Sequence, residues 1–256
     1  MNLSLKHKTP KLTFYYLKKD ITINADETFY DSSQFKWAQT IEANWKLIYE
    51  EITTHLQKHE KEFGAYFDDG LVNQKDKWKS FGFYFWGLRL PDKECEHFAK
   101  TINLLKKIPD VVSASVSIME PYSEIKPHFG DTDAIYRCHL PLIVPGILPE
   151  IGFQVGYEKY SWKEGKLLIF NDAAYHKGWN NTDKRRLILI FDVIKPVLKS
   201  KKRWICSQAL ANIIIQKMFA KIPFTKKLPL FSIKTLHTII STYKWIYFSF
   251  RKNTFI

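Results

Sequence analysis

The chain has 256 residues, 45% of them hydrophobic and 16% aromatic, with a formal charge of +13; that supports one large core and excludes wholesale disorder. Three cysteines, Cys95, Cys138 and Cys206, form no CxxC pair, which excludes a disulfide framework and a cysteine-ligated zinc site. The charge is uneven: residues 197–256 hold 12 Lys and Arg and no Asp or Glu, whereas residues 1–196 hold 27 basic and 26 acidic residues.

Residues 1–25 read as a basic N-terminal arm with one short strand, LTFYYL, and no apolar run long enough for a signal peptide. With the cysteine count, this points to a reducing, cytoplasmic setting. Asp31, Ser32 and Ser33 are helix N-cap candidates. Trp37, Ile41, Trp45, Ile48 and Ile52 recur every three or four residues and predict one amphipathic helix up to about Lys58. A strand over KSFGFYFWG and a helix over KECEHFAKTINLLKKI follow, the latter closed by Pro109.

From residue 110 to 196 the pattern changes. VVSASVSIME, YRCHLPLIVP, GFQVGY, EGKLLIFND and RRLILIFDVIKP are short β-rich runs separated by Pro, Gly and Asp/Asn turns. Such a series predicts an antiparallel sandwich or barrel. No βαβ alternation and no glycine-rich phosphate loop is present, so a nucleotide-binding fold has no support.

Polar residues in these apolar runs carry the chemistry. His128 follows Pro127 at the end of a turn, and His176 sits in the turn FNDAAYHKGWNN. They lie 48 residues apart, which excludes a local helical pair and suits two facing strands. Neutral imidazoles are good ligands for Fe(II) and related metals. Arg186 opens the apolar strand LILIFDV ten residues after His176. A guanidinium turned inward there needs an anion, and a dicarboxylic cosubstrate would supply it. Arg137 and His139 are two apart and share a strand face, with Cys138, Leu140 and Leu142 on the other.

SIMEPYSEIKPHFGDTDAIYRCHLPLIVP and WKEGKLLIFNDAAYHKGWNNTDKRRLILIFDVIKP together resemble the aspartyl/asparaginyl β-hydroxylase family, clearly over residues 116–196 and more weakly over FKWAQTIEANWKLIYEEI. The resemblance implies an Fe(II)- and 2-oxoglutarate-dependent dioxygenase that consumes O2. It implies a mainly β, α+β fold: a double-stranded β-helix (jelly-roll, cupin-like) core over residues 26–196 with flanking helices. It makes His128 and His176 the metal ligands. Arg186 and Ser117 would take the distal carboxylate of 2-oxoglutarate, Arg137 and His139 the proximal one, and Met119 would line the cosubstrate site. Gly130 stands where many such oxygenases carry Asp or Glu two residues after the first histidine, so water fills that position or Asp131 or Asp133 substitutes.

His7, His55, His59, His97 and His237 read as ordinary surface or core histidines. Asp172 reads as a turn residue, and Trp37, Trp45, Trp78, Trp86 and Trp162 read as core. Residues 197–256 form a basic amphipathic extension with no uncharged stretch of about 18 to 20 residues, so a spanning helix is not expected. Trp204, Ile205, Leu210, Ile213, Ile214, Met218 and Ile222 allow a helical face that suits an anionic membrane surface. A helical cap on the barrel is the plainer reading, and nothing resembles a nucleic-acid motif. The substrate then lies between a membrane lipid acyl chain, as in lipid A or ornithine lipid hydroxylases, and an Asp or Asn side chain of a peptide. A non-catalytic β-helix binding module is the remaining alternative.

Overall fold

The computed structural model describes residues 28–66, 69–89 and 95–250. The N-terminal arm and its strand LTFYYL lie outside them. Asp31 caps a short 3-10 turn by accepting a hydrogen bond from the Ser33 amide. The single helix expected up to Lys58 is two, α1 (Lys36–Ala43) and α2 (Trp45–Lys58). They part at Asn44, whose φ of −107° and ψ of 12° leave the helical basin and whose side-chain Nδ2 donates back to the Thr40 carbonyl.

The larger sheet runs β1 (Phe29–Tyr30), β10 (Leu168–Phe170), β7 (Ile135–Ile143), β12 (Arg186–Ile194), β5 (Val111–Met119), β3 (Trp78–Phe85) and β2 (Gly64–Ala65), with β4 (Leu88–Arg89) paired to β3. The smaller sheet runs β6 (Ser123–His128), β11 (His176–Asn180), β8 (Ile151–Val155) and β9 (Glu158–Tyr160). All pairings are antiparallel. The two sheets form a double-stranded β-helix core flanked by helices. Gly156, with φ +56°, turns β8 into β9.

The alternation along three central strands sorts the interior from the helix side. Leu187, Leu189 and Phe191 of β12, Cys138, Leu140 and Leu142 of β7, and Ala114, Val116 and Ile118 of β5 pack with α1, α2 and α3 (Ala99–Leu105) in the main core. Fully buried side chains such as Ile48 and Ile52 each contribute about 1.5–3 kcal/mol there. The opposite parity, Arg186, Asp192, Arg137, His139, Ser117 and Met119, faces the smaller sheet. Pro141 is tolerated in a central strand because the β7–β12 register shifts beside it.

Two further elements differ from the sequence expectation. His128 and His176 do not sit in turns: they end β6 and begin β11 and pair directly across the ladder. The stretch whose apolar face reads as membrane-facing, α4 (Lys202–Lys221), packs one side on the barrel, while Trp204 and Ile214 stay exposed. Ile205, Leu210 and Ile213 share a buried cluster with Trp86, Val112, Ile135 and Ile194 of the barrel. A second helix, α5 (Leu230–Phe250), lies against α4.

Candidate active site

A bulge builds the histidine pair. Between the pairs His176–His128 and Gly178–Ile125, β6 carries one residue more than β11. The extra residue bends the strand and turns His128 toward His176, with ring centroids 4.3 Å apart. Pro127 fits beside the bulge because β6 is a sheet edge.

Each histidine is held through Nδ1. His176 Nδ1 lies 2.8 Å or less from a carbonyl, at 2.7 Å from Ala174 O, and His128 Nδ1 is 2.8 Å from Lys126 O. A carbonyl only accepts, so both Nδ1 atoms carry the proton, and in the neutral ring Nε2 carries the lone pair. Burial, then the neighbouring His128, holds His176 well below the usual imidazole range, so it stays neutral.

Asp172 completes this corner. It is fully buried, with Oδ1 3.8 Å from His176 Nε2 and Oδ2 without a hydrogen-bond partner among the described residues. Arg137 grips Asp172 through Nη1 and takes Asp192 with Nε and Nη2 at 2.8 and 2.9 Å. A Cβ on residue 130 would lie 1.8 Å from Asp172 Oδ2. Gly130 is therefore required, and the carboxylate absent from position 130 is present in space, brought from the β10–β11 turn. Asp131 turns elsewhere, toward Gln216 of α4 and the Arg137–Asp192 pair, and burial pushes its carboxyl up to about 6. Arg137 thus has two protein carboxylates as its first partners, leaving two of its five N–H groups for any cosubstrate.

Arg186 is the inward member of its pair. Arg185 reaches Glu60 and Glu120 on the outside. Arg186 is buried, with Nη2 3.0 Å from Ser117 Oγ, its guanidinium 4.9 Å from the Trp162 ring centre, and Nε unpartnered among the described residues. No ion pair reaches it among those residues, and burial pulls it down to about 9. Trp78 donates to the same Ser117 oxygen at 3.0 Å. His139 accepts from Trp162 Nε1 through Nδ1 at 3.3 Å, which places its own proton on Nε2. Burial, then Arg186 and Arg137, keeps His139 neutral. Phe153 and Phe170 fill the space between His139 and His176, and Met119 is buried opposite Arg186 in the ladder.

Sequence reasoning missed four of these residues. Asp172 is a site carboxylate rather than only a turn residue, and Trp78 and Trp162 touch the polar groups of the cavity rather than only filling core. Asp192 was readable, since it shares strand parity with Arg186. The approach of Asp172 to Gly130 is tertiary and left no local signal.

A double-stranded β-helix whose interior carries two facing imidazoles and a buried arginine defines a cupin-like class of fold. Comparison with known proteins narrows this. The family model described as aspartyl/asparaginyl beta-hydroxylase matches residues 42–196, and the chain belongs to that hydroxylase family. It is 33% identical over 196 residues to the ornithine lipid ester-linked acyl 2-hydroxylase of Rhizobium tropici, covering 75% of this chain and 68% of that one. It is 33% identical over 170 residues to the human aspartyl/asparaginyl beta-hydroxylase, covering 64% of this chain but only 22% of that protein's length. Among solved structures, a Pseudomonas putida prolyl-4-hydroxylase is similar with TM-score 0.41 and 11% identity, over 66% of this chain and 93% of that one.

The residues fit a divalent metal in part. Among the described residues no three His, Cys, Asp or Glu side chains form a ready ligand set. The two imidazoles, with Nδ1 anchored, supply a pair of donors, and Asp172 Oδ2 lacks a hydrogen-bond partner among those residues.

Proposed function

We propose that the chain is an Fe(II)- and 2-oxoglutarate-dependent hydroxylase that oxidises an unactivated C–H bond in the acyl chain of a membrane lipid. The single observation that carries the cosubstrate is Arg186: a buried guanidinium with a hydroxyl and an indole face around it and no carboxylate partner among the described residues. A buried charge without its counter-ion is costly, so the pocket fits a molecule that brings one. The substrate reading is supported by the R. tropici lipid hydroxylase, which matches three quarters of the chain.

His128 and His176 would hold the metal through Nε2, and Asp172 would stand beside it, its carboxyl pushed up to about 7 by burial against the pull of Arg137. When bound, iron would supply the O2 chemistry: 2-oxoglutarate is oxidised to succinate and CO2, and one oxygen atom enters the substrate C–H bond. The chain's own residues do the rest. Arg186 and Ser117 bind the distal carboxylate in a bidentate hydrogen-bonded grip. Trp78 orients the Ser117 hydroxyl from behind. His139 presents Nε2–H to the proximal end, where Arg137 offers its remaining N–H groups. Met119, Phe153, Phe170 and Trp162 exclude water from the cosubstrate and fix its direction relative to the histidine pair.

Hydroxylation of a peptidyl Asp or Asn is the second reading, favoured by the equal identity to the human relative. Purified protein with Fe(II), 2-oxoglutarate and O2 is to be offered a detergent-dispersed lipid extract and, separately, an Asp- and Asn-containing peptide library. The expected result is succinate and a lipid one oxygen atom heavier, both lost in His128→Ala and His176→Ala proteins that keep their circular dichroism. A product only among the peptides would select the second reading. No succinate with any substrate, from protein shown to bind the metal, would leave a binding module.

A further inference from the structure

The C-terminal hairpin has an apolar surface that the fold does not use. Along α5, Ile233, His237, Ser241 and Phe248 are buried on one side. Ile239, Tyr243, Ile246 and Phe250 follow at spacings of four, three and four, which places them in one stripe on the opposite side. They are 61, 62, 45 and 84% exposed. A helix apolar on both sides is expected in a core or at a lipid surface, not with one side in water. The same character continues into the tip between the helices, where Phe224 and Phe231 are 70 and 71% exposed.

The charge around this surface selects its partner. Lys199 and Lys202, at the barrel end, pair with Asp110. Lys221, Lys226, Lys227 and Lys234, around the tip, have no carboxylate partner among the described residues, and the whole segment 197–256 contains no acid. A uniformly basic face repels a second copy of itself and attracts an anionic one. No helix among the described residues is long and apolar enough to cross a membrane, so the face would lie on a bilayer rather than span it.

The tip also adjoins the site. Ala220 and Lys221 line one wall of a cavity of about 300 Å³ whose other wall includes Tyr66, Val72 and Trp78. Trp78 donates to Ser117, which also accepts from Arg186. A surface-bound hairpin therefore holds this cavity at the membrane, one hydrogen bond from the cosubstrate pocket.

We propose that the tip and outer stripe of the α4–α5 hairpin dock on an anionic phospholipid bilayer and set the cavity beside Trp78 against it. The role given to the cavity rests on the lipid-substrate reading; the docking does not. The full chain is to be sedimented with phosphatidylglycerol/phosphatidylcholine vesicles and with phosphatidylcholine alone at low salt. The expected result is co-sedimentation with the anionic vesicles, weakened by salt. Lys226→Gln with Lys227→Gln should lower vesicle affinity about twentyfold or more. Phe224→Ser with Phe231→Ser should lower it as well, with circular dichroism and turnover on detergent-dispersed lipid unchanged. Wild-type protein that stays in the supernatant while hydroxylating dispersed lipid overturns the docking alone. Vesicle binding without lipid hydroxylation supports the docking and removes the substrate reading. A concentration-dependent dimer abolished by Ile239→Ser with Ile246→Ser, together with no vesicle binding, would make the stripe a self-association face and overturn the proposal.

Discussion

Replacing Arg186 by methionine should make the protein more stable without cosubstrate and indifferent to it. Burial pulls the guanidinium from the usual arginine range down to about 9, equivalent to about 5 kcal/mol of charging penalty in the folded state. The sign is fixed: at neutral pH the group is charged in both folded and unfolded chains, so the full penalty is present, and it is relieved only as pH rises through 9. Local relaxation reduces it, and swaps of buried ions for apolar side chains gain about 1–4 kcal/mol. Methionine is of similar length and meets Trp162 and Met119, so no large cavity forms. Urea unfolding of wild type and Arg186→Met, each with and without 2-oxoglutarate under anaerobic conditions, reads both effects. Wild type should gain about 2.7 kcal/mol at a hundredfold excess of cosubstrate over its Kd, and the variant nothing. A variant that is less stable than wild type and still gains from 2-oxoglutarate would refute the reasoning that Arg186 is a charge awaiting its anion.

Gly130→Ala should destabilise by about 1–3 kcal/mol, because the new Cβ meets an Asp172 carboxylate that Arg137 holds in place; Gly130→Ala with Asp172→Ala should recover part of that loss, and equal stability of Gly130→Ala and wild type in urea would remove the close approach. His139 is buried and neutral, its folded pKa well below the ordinary 6.5. The unfolded chain therefore takes up the proton first, and wild type should lose about 1.4 kcal/mol against His139→Gln as pH falls from 7.5 to 5.5; a constant gap would mean a solvated imidazole. His176→Ala should abolish tight Co(II) binding, followed by its visible absorption, while the unfolding midpoint moves little; an unchanged spectrum would exclude His176 as a ligand.

The strands that were legible are those whose two faces differ in kind. In β5, β7 and β12 aliphatic residues alternate with polar ones because one face meets helices and the other a polar cavity. β6 and β11 were not legible. SEIKPH carries a proline and two charges because it is an edge strand, and HKGWN is five residues long with a central glycine. His128, His176 and Arg186 could be marked from the family blocks, but their convergence depends on a one-residue bulge that no periodicity encodes. Asp172 precedes His176 by one helical-looking interval in a turn, and only the missing side chain at Gly130 makes it part of the site. The tail shows the same limit. The apolar residues of α4 and α5 look alike in sequence, yet Ile205, Leu210 and Ile213 meet the barrel while Ile239, Tyr243 and Ile246 face outward, a difference set by which partner each side finds.

The central claim is most directly tested by the origin of the oxygen in the product. Purified protein with Fe(II), 2-oxoglutarate and detergent-dispersed membrane lipid is to be run under 18O2, with mass spectrometry of the lipid acyl chains. The expected result is one 18O atom in an acyl hydroxyl and succinate formed in step with it, neither seen with His128→Ala protein. Succinate without labelled lipid, or a labelled hydroxyl that persists in the His128→Ala protein, would contradict it.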